Sequence, residues 1–206
     1  NYMKILVTGA TGFVGKTLLP LLVENGHDII VLTRDIKSAQ VRLPVVCKII
    51  EWDPAKTLTH IEDDIDIVIN LCGENVAGGR WTSKRKQAIY NSRIIATRNL
   101  IDYFRKNPHP IKTWISASAI GIYENSIVLD ESAPNGKGFL AKTCKDWEEE
   151  TFKAKDLNIR TIAFRIGIVL GFDGGAMEKM LPLFKLGLGG NISNGNQWMS
   201  WVHVRD

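Results

Sequence analysis

Thr8-Gly9-Ala10-Thr11-Gly12-Phe13-Val14-Gly15 follows the largely apolar run Met3-Lys4-Ile5-Leu6-Val7 and leads into a second apolar run, Val14 to Val23. The order is strand, glycine-rich turn, helix. Gly9 lets the chain turn sharply out of the strand, Gly12 lets backbone approach a pyrophosphate where a Cβ would collide, and Gly15 lets the helix pack closely on the sheet. The free N–H groups of the helix's first turn then face the phosphates, and the helix dipole adds to the attraction. This context predicts a dinucleotide cradle formed by Gly9, Thr11, Gly12, Phe13, Val14 and Gly15.

Working outward, the chain alternates apolar β-branched runs with amphipathic helical patterns. Strands are predicted at residues 27–34, 48–52, 66–72, 112–119 and 160–170, and helices at about 82–106, 139–157 and 176–186. Gly26 suits the C′ position of the first helix, while Pro20 inside that helix predicts a kink or an unpaired carbonyl. The long helix carries Ile89, Ile94, Ile95, Leu100, Ile101 and Phe104 on one face, fit for a core or for a homodimer. Such alternation predicts an α/β fold of the Rossmann type, a doubly wound and mostly parallel sheet. Residues 1–171 are expected to form the dinucleotide domain. Residues 172–206 are expected to form a substrate-side segment that returns to the sheet and is cut short before a C-terminal domain.

With 206 residues and 45% hydrophobic content, one main core is expected. Lys+Arg 26 against Asp+Glu 22 leaves a formal charge of +4, too weak to predict a nucleic-acid partner and compatible with a small anionic substrate. The basic residues of the long helix are spread around it without interleaved aromatics, which reads as a solvated face. Three cysteines, Cys47, Cys72 and Cys144, sit beside apolar segments without metal-ligand spacing, predicting no metal site and a reduced, cytoplasmic protein. No apolar run approaches the roughly 20 residues that span a bilayer, so no membrane partner is predicted.

The second strand ends in Thr33-Arg34. An acidic residue there would bond a free ribose 2′-OH, whereas a guanidinium accommodates a 2′-phosphate, so NADP(H) is favoured. Asp35 keeps NAD(H) open should the strand end one residue later.

Further motifs carry a family resemblance: Asn70-Leu71-Cys72-Gly73, Ser116-Ala117-Ser118, and Val202-His203-Val204 two residues before Asp206. With the glycine turn, they resemble an extended short-chain dehydrogenase/reductase. Gly73-Glu74-Asn75, Arg80-Trp81-Thr82, Ser92-Arg93, Trp147-Glu148 and Lys179-Met180-Leu181-Pro182 narrow this to an epimerase-like subfamily with an added C-terminal domain. The resemblance places Asn70, Leu71, Cys72, Gly73, Ser116 and Ala117 with Thr33 and Arg34 in the cofactor site, and implies a serine, a tyrosine and a lysine as catalytic groups. Ser118 matches the serine. The tyrosine and lysine are unmatched: Gly138 stands four before Lys142, and Ala141 four before Lys145. Hydride transfer at carbon needs proton transfer at its oxygen, and a phenol beside a cation supplies it. Tyr123 is therefore the candidate substitute, or else a loop aromatic at the sheet edge, and Lys142 the candidate ribose holder, or else a solvated lysine. Asn91 and Arg93 on the long helix are candidate substrate contacts. Gln197 and Trp198 in the return loop would grip a ring, or else pack internally.

The function expected is an NADP(H)-dependent oxidoreductase or epimerase acting on a small polar or nucleotide-sugar-like substrate. The alternative is an NADP(H)-binding sensor or interaction protein with little catalysis, which the resemblance associates with cell division.

Overall fold

The computed structural model describes residues 2–124, 129–172, 174–191 and 194–206. Six strands form the main sheet: β1 (Lys4–Thr8), β2 (Asp28–Thr33), β3 (Lys48–Glu51), β4 (Ile67–Asn70), β5 (Thr113–Ala119) and β6 (Arg160–Ile166). Their order is β3-β2-β1-β4-β5-β6 with every pairing parallel. The helices are α1 (Phe13–Glu24), α2 (Ile36–Arg42), α3 (Ser83–Lys106), α4 (Phe139–Phe152) and α5 (Gly175–Lys185). This is the expected Rossmann-like α/β fold, with the direction reversal between β1 and β4 creating the crevice where such sheets bind ligands.

Strands covered on both faces must be apolar at consecutive positions. In β1, Leu6 joins Ile30, Leu32, Val68, Leu100, Phe104 and Trp114 in the core beneath α3. Its neighbours Ile5 and Val7 point the other way, packing with Leu19, Ile29, Val31 and Ile69 beneath α1. The α3 residues Ile89, Ile94, Leu100, Ile101 and Phe104 are all buried within this chain. Ile95 of the same stripe is half-buried. Helix α1 runs unbroken through Pro20.

Two local readings are corrected. Residues 36–42, without a predicted element, form α2, begun by Asp35, whose carboxylate caps Ser38 N–H at 3.0 Å. The single strand predicted at 160–170 is two strands in different sheets. The backbone of Ser200 passes so close to Gly167 that a Cβ there would lie 2.7 Å from its carbonyl oxygen. Beyond that crossing, β7 (Ile168–Gly171) pairs in parallel with β8 (Trp201–His203).

At the opposite end of the sheet from the glycine turn, Asp63 accepts from Lys4 Nζ at 2.8 Å and Lys48 Nζ at 2.6 Å. These bonds hold its carboxyl near pKa 2, below the ordinary value of 3.8. A carboxyl depressed on folding stabilises above its unfolded pKa of about 4, and loses that contribution as pH falls through about 2. Thermal melts at low salt are expected to show a midpoint that drops between pH 4 and 2, and drops less in Asp63→Asn. Equal slopes would refute the contribution.

Candidate functional site

The glycine turn is built from the sheet outward. Gly9 has φ +67°, and a Cβ on it would lie 2.4 Å from the Leu71 carbonyl oxygen. Gly12 N–H bonds the Gly9 carbonyl at 3.0 Å, and Gly12 caps α1 without any side-chain acceptor. The N–H groups at the head of α1 are thus left for an anion. At Gly15 a Cβ would meet Ala10 Cα at 2.6 Å, so helix and turn touch backbone to backbone. At Gly12, by contrast, a Cβ would have the Gly9 carbonyl oxygen at 3.1 Å as its one neighbour within 4 Å, so this glycine borders open space, which is the fit a pyrophosphate approaching the backbone requires. The Phe13 side chain packs away from the turn, with its ring against Gly171, Gly174 and Gly175, where added Cβ atoms would meet it at 2.6 to 2.9 Å. It keys the turn to the β7–α5 connection.

Residues ending β4 and β5 divide into scaffold and rim. Asn70 is buried and accepts from the Thr8 hydroxyl at 2.7 Å while donating to Thr97 Oγ1 at 2.9 Å. Thr97 also accepts Trp147 Nε1–H at 3.1 Å, so one buried knot joins β1, β4, α3 and α4. Ser116 is equally buried beside it. Leu71, Cys72 and Gly73 are the rim. Burial pushes the Cys72 thiol up to about 11, with the Arg34 charge acting in the opposite direction.

Beyond β2, Arg34 is exposed and makes no hydrogen bond or ion pair among the described residues. Asp35 is committed to the cap of α2. From the far end of α2, Arg42 reaches back to donate to the Thr11 carbonyl at 3.1 Å.

The structure brings Ser118 and Tyr123 together through two residues to which the sequence alone assigned no role. Ser118 Oγ donates to Glu148 Oε1 at 2.5 Å. Glu148 is also gripped in a fork by Arg165, Nε to Oε1 at 2.9 Å and Nη2 to Oε2 at 2.8 Å. The Nη1 of Arg165 donates to the Tyr123 hydroxyl at 2.6 Å. Arg165 hydrogen bonding and charge hold the Glu148 carboxyl below its ordinary pKa despite the opposing effect of burial. Ser118 and Arg165 are register partners on β5 and β6, and so share a sheet face. The signal available in the sequence was an acid at 148 on the core side of an amphipathic helix.

Lys142 is not part of this network. Its ammonium pairs with Asp146 at 2.6 Å, one turn along α4, and lies over the Tyr90 ring. The stripe of α4 that meets the end of β5 is instead Leu140, Cys144 and Glu148. Leu140 Cβ and Cys144 Sγ lie 3.6 and 3.8 Å from where a Cβ of Gly121 would be. This stripe, one helical face away from Lys142, carries neither a phenol nor an ammonium. Gly138 is the N-cap of α4, with φ +92°.

Of the candidate substrate contacts, Arg93 donates to the Glu74 and Ile89 carbonyls at 3.1 and 3.0 Å and lies over the Trp147 ring. It forms no ion pair among the described residues, and burial lowers its pKa. With Ser92, which accepts Glu74 N–H at 2.9 Å, it clamps the rim to α3. Asn91 accepts from Gln87 at 2.6 Å on the same helix. Trp198 is 68% exposed, so it is no core residue here, and Gln197 beside it is half-buried.

Residues 5–206 match the NAD dependent epimerase/dehydratase family. The chain belongs to that family. It is an NAD(P)-binding, epimerase-family protein. The chain is 37% identical over 217 residues to the Epimerase family protein SDR39U1 homolog, chloroplastic, of Arabidopsis thaliana, covering all of this chain and 60% of that protein. It is 37% identical to the Epimerase family protein YfhF of Bacillus subtilis, covering 99% of this chain and 67% of the relative. Among solved structures it resembles human epimerase family protein SDR39U1 (isoform 2) with NADPH, at TM-score 0.80 and 32% identity, over 98% of this chain and 66% of the human one. UDP-glucuronic acid 4-epimerase from Bacillus cereus shares the fold at TM-score 0.79 and 20% identity, over 98% of this chain and 70% of that one. The epimerase-family chain thus spans 60% of the length of its Arabidopsis relative. Among the described residues, no helix is long and apolar enough to cross a membrane, and no three His, Cys, Asp or Glu residues converge as metal ligands.

Proposed function

We propose that this chain is the dinucleotide-binding part of an NADP(H)-dependent oxidoreductase or epimerase acting on a small polar or nucleotide-sugar-like substrate. The observation that carries the reading is the pair Arg34 and Asp35. The guanidinium stands free beside the cradle, whereas the carboxylate that would receive a ribose hydroxyl is taken up by the cap of α2. The solved relative with NADPH supports the same choice. Gly9 to Gly15 would hold the pyrophosphate, with Leu71 to Gly73 and Ala117 around the rest of the cofactor, and Thr33 and Arg34 at its adenosine end. A bound nicotinamide would supply hydride transfer. Ser118, positioned by Glu148, would accept a hydrogen bond from a substrate hydroxyl because its own proton is directed to the carboxylate. Tyr123 would exchange the proton, and Asn91, Arg93, Gln197 and Trp198 would contact substrate.

Replacing Arg34 by Ala removes a charged hydrogen bond to phosphate, worth about 1.5–3 kcal/mol. NADPH affinity is expected to fall about ten- to hundredfold, with NADH affinity unchanged. An unaltered NADPH preference in Arg34→Ala would defeat the assignment.

A second reading rests on the α4 stripe facing the end of β5, where Leu140 and Cys144 offer neither a phenol nor an ammonium. On that reading the protein binds NADP(H) with little turnover, as a sensor or interaction protein. NADPH oxidation by the intact protein across a panel of carbonyl compounds and sugar nucleotides separates the two. Tight binding without turnover would favour the second.

A further inference from the structure

The proposed seat for the adenosine 2′-phosphate has so far one cation, Arg34, and one cation is too few. A phosphate monoester carries about −1.5 to −2 charges at neutral pH, so a single guanidinium leaves it half-compensated. Residues 38 and 42 are four apart, which sets Ser38 and Arg42 on one face of α2. That face is turned toward the glycine turn, because Arg42 Nη2 donates to the Thr11 carbonyl across 31 residues of sequence. Strand pairing brings Arg34 to the same rim: β2 lies against β1 with Leu32 opposite Thr8, the residue before Gly9.

The two guanidiniums are not otherwise compensated. Neither Arg34 nor Arg42 has an ion-pair partner among the described residues, and the nearby acid Asp35 is committed to Ser38 N–H. The Ser38 hydroxyl has no hydrogen-bond partner among the described residues either, and Arg42 retains its Nε and Nη1 groups. Two unneutralised guanidiniums and a free hydroxyl along one rim are the donor set for a dianionic oxyanion, whose oxygens match the planar forks of arginine.

We propose that Arg42, with the Ser38 hydroxyl, completes a two-guanidinium seat for the 2′-phosphate, and that its bond to Thr11 ties that seat to the pyrophosphate cradle. This rests on the NADP(H) reading and adds a specificity-determining residue to it. Binding of the 2′-phosphate would then order the glycine turn through Arg42, so the two ends of the cofactor would reinforce each other.

The test is titration of the intact protein with NADPH, NADH, 2′,5′-ADP and 5′-AMP, for wild type, Arg34→Ala, Arg42→Ala, Arg42→Lys and Ser38→Ala. Arg42→Ala is expected to weaken NADPH and 2′,5′-ADP about tenfold or more beyond whatever it costs NADH and 5′-AMP through the loosened Thr11 bond. Arg42→Lys should retain part of the difference, and Ser38→Ala should lose a few-fold. Lowering the pH through about 6 removes phosphate charge, which should shrink the wild-type preference for 2′,5′-ADP more than that of Arg42→Ala. Equal weakening of NADPH and NADH would make Arg42 a brace for Thr11 alone and overturn the proposal, as would no weakening of either. If wild type prefers NADPH and only Arg34→Ala abolishes that preference, this proposal falls and the cofactor reading stands. If wild type binds NADPH and NADH alike, both fall.

Discussion

Gly9→Ala is expected to abolish dinucleotide binding and to destabilise the protein by about 2–5 kcal/mol, the sum of a left-handed backbone penalty and an overpacking penalty. Both penalties act at this one position. Its φ of +67° disfavours any Cβ, and the Cβ would lie 2.4 Å from a carbonyl oxygen of β4's exit, which is backbone and cannot rotate away. Relief requires that β1's turn and β4 separate, which opens the Asn70 knot and moves the N–H groups that face the phosphates. Two other glycines separate the causes. Gly15→Ala meets Ala10 Cα at 2.6 Å and should incur only the overpacking cost of about 1–3 kcal/mol. Gly26→Ala has φ +79° with nothing within 4 Å, so it should incur only the backbone cost and still bind NADPH normally. Urea denaturation with NADPH titration checks the series. Gly9→Ala no worse than Gly26→Ala would show that the contact with Leu71 is not limiting.

Glu148→Ala is the other large effect, about 3 kcal/mol of lost stability, at the lower end of the range for breaking a buried pair. The lower end applies because the Arg165 side chain is 22% exposed and water reaches part of it. The carboxylate receives three hydrogen bonds, one from Ser118 and two from Arg165, and its removal strands all three donors. Glu148→Gln keeps the shape and one oxygen and should lose less. Tyr123→Phe removes one acceptor of Arg165 and should lose about 1 kcal/mol. The pH dependence follows the same geometry. With its pKa lowered in the fold, Glu148 stabilises above the usual carboxyl pKa and gives up that contribution as pH falls below it. The gap between wild type and Glu148→Gln should therefore narrow in acid. A gap that widens as pH drops would contradict the ion-pair account.

These two sites differ in how far they could be read from the chain alone. The glycine turn was legible because its causes are local: the glycines stand close together between a strand and a helix whose apolar periods differ. Strands β2 to β5 were likewise placed to within a residue or two, since doubly covered parallel strands must be apolar at consecutive positions. Helix α2 was missed because its 7 residues offer little periodicity, although Asp35 followed by Ser38 was a usable capping signal. The division at Gly167 could not be read, since its cause, the Ser200 backbone, is remote in sequence.

A parallel α/β sheet with a glycine-rich turn at its head follows from the chain alone, because backbone conformation, glycine placement and continuous hydrophobicity are properties of neighbouring residues. The partners of the other side chains come from the packing of distant elements. That packing turned Asn70 and Ser116 into buried scaffold, sent Lys142 to Asp146, put Leu140 and Cys144 against the end of β5, and joined Ser118 to Tyr123 through Glu148 and Arg165. Those assignments depend on which face of a helix meets which strand. A rotation of α4 by one residue, about 100°, would exchange its partners, and only the packing of the whole core chooses between them.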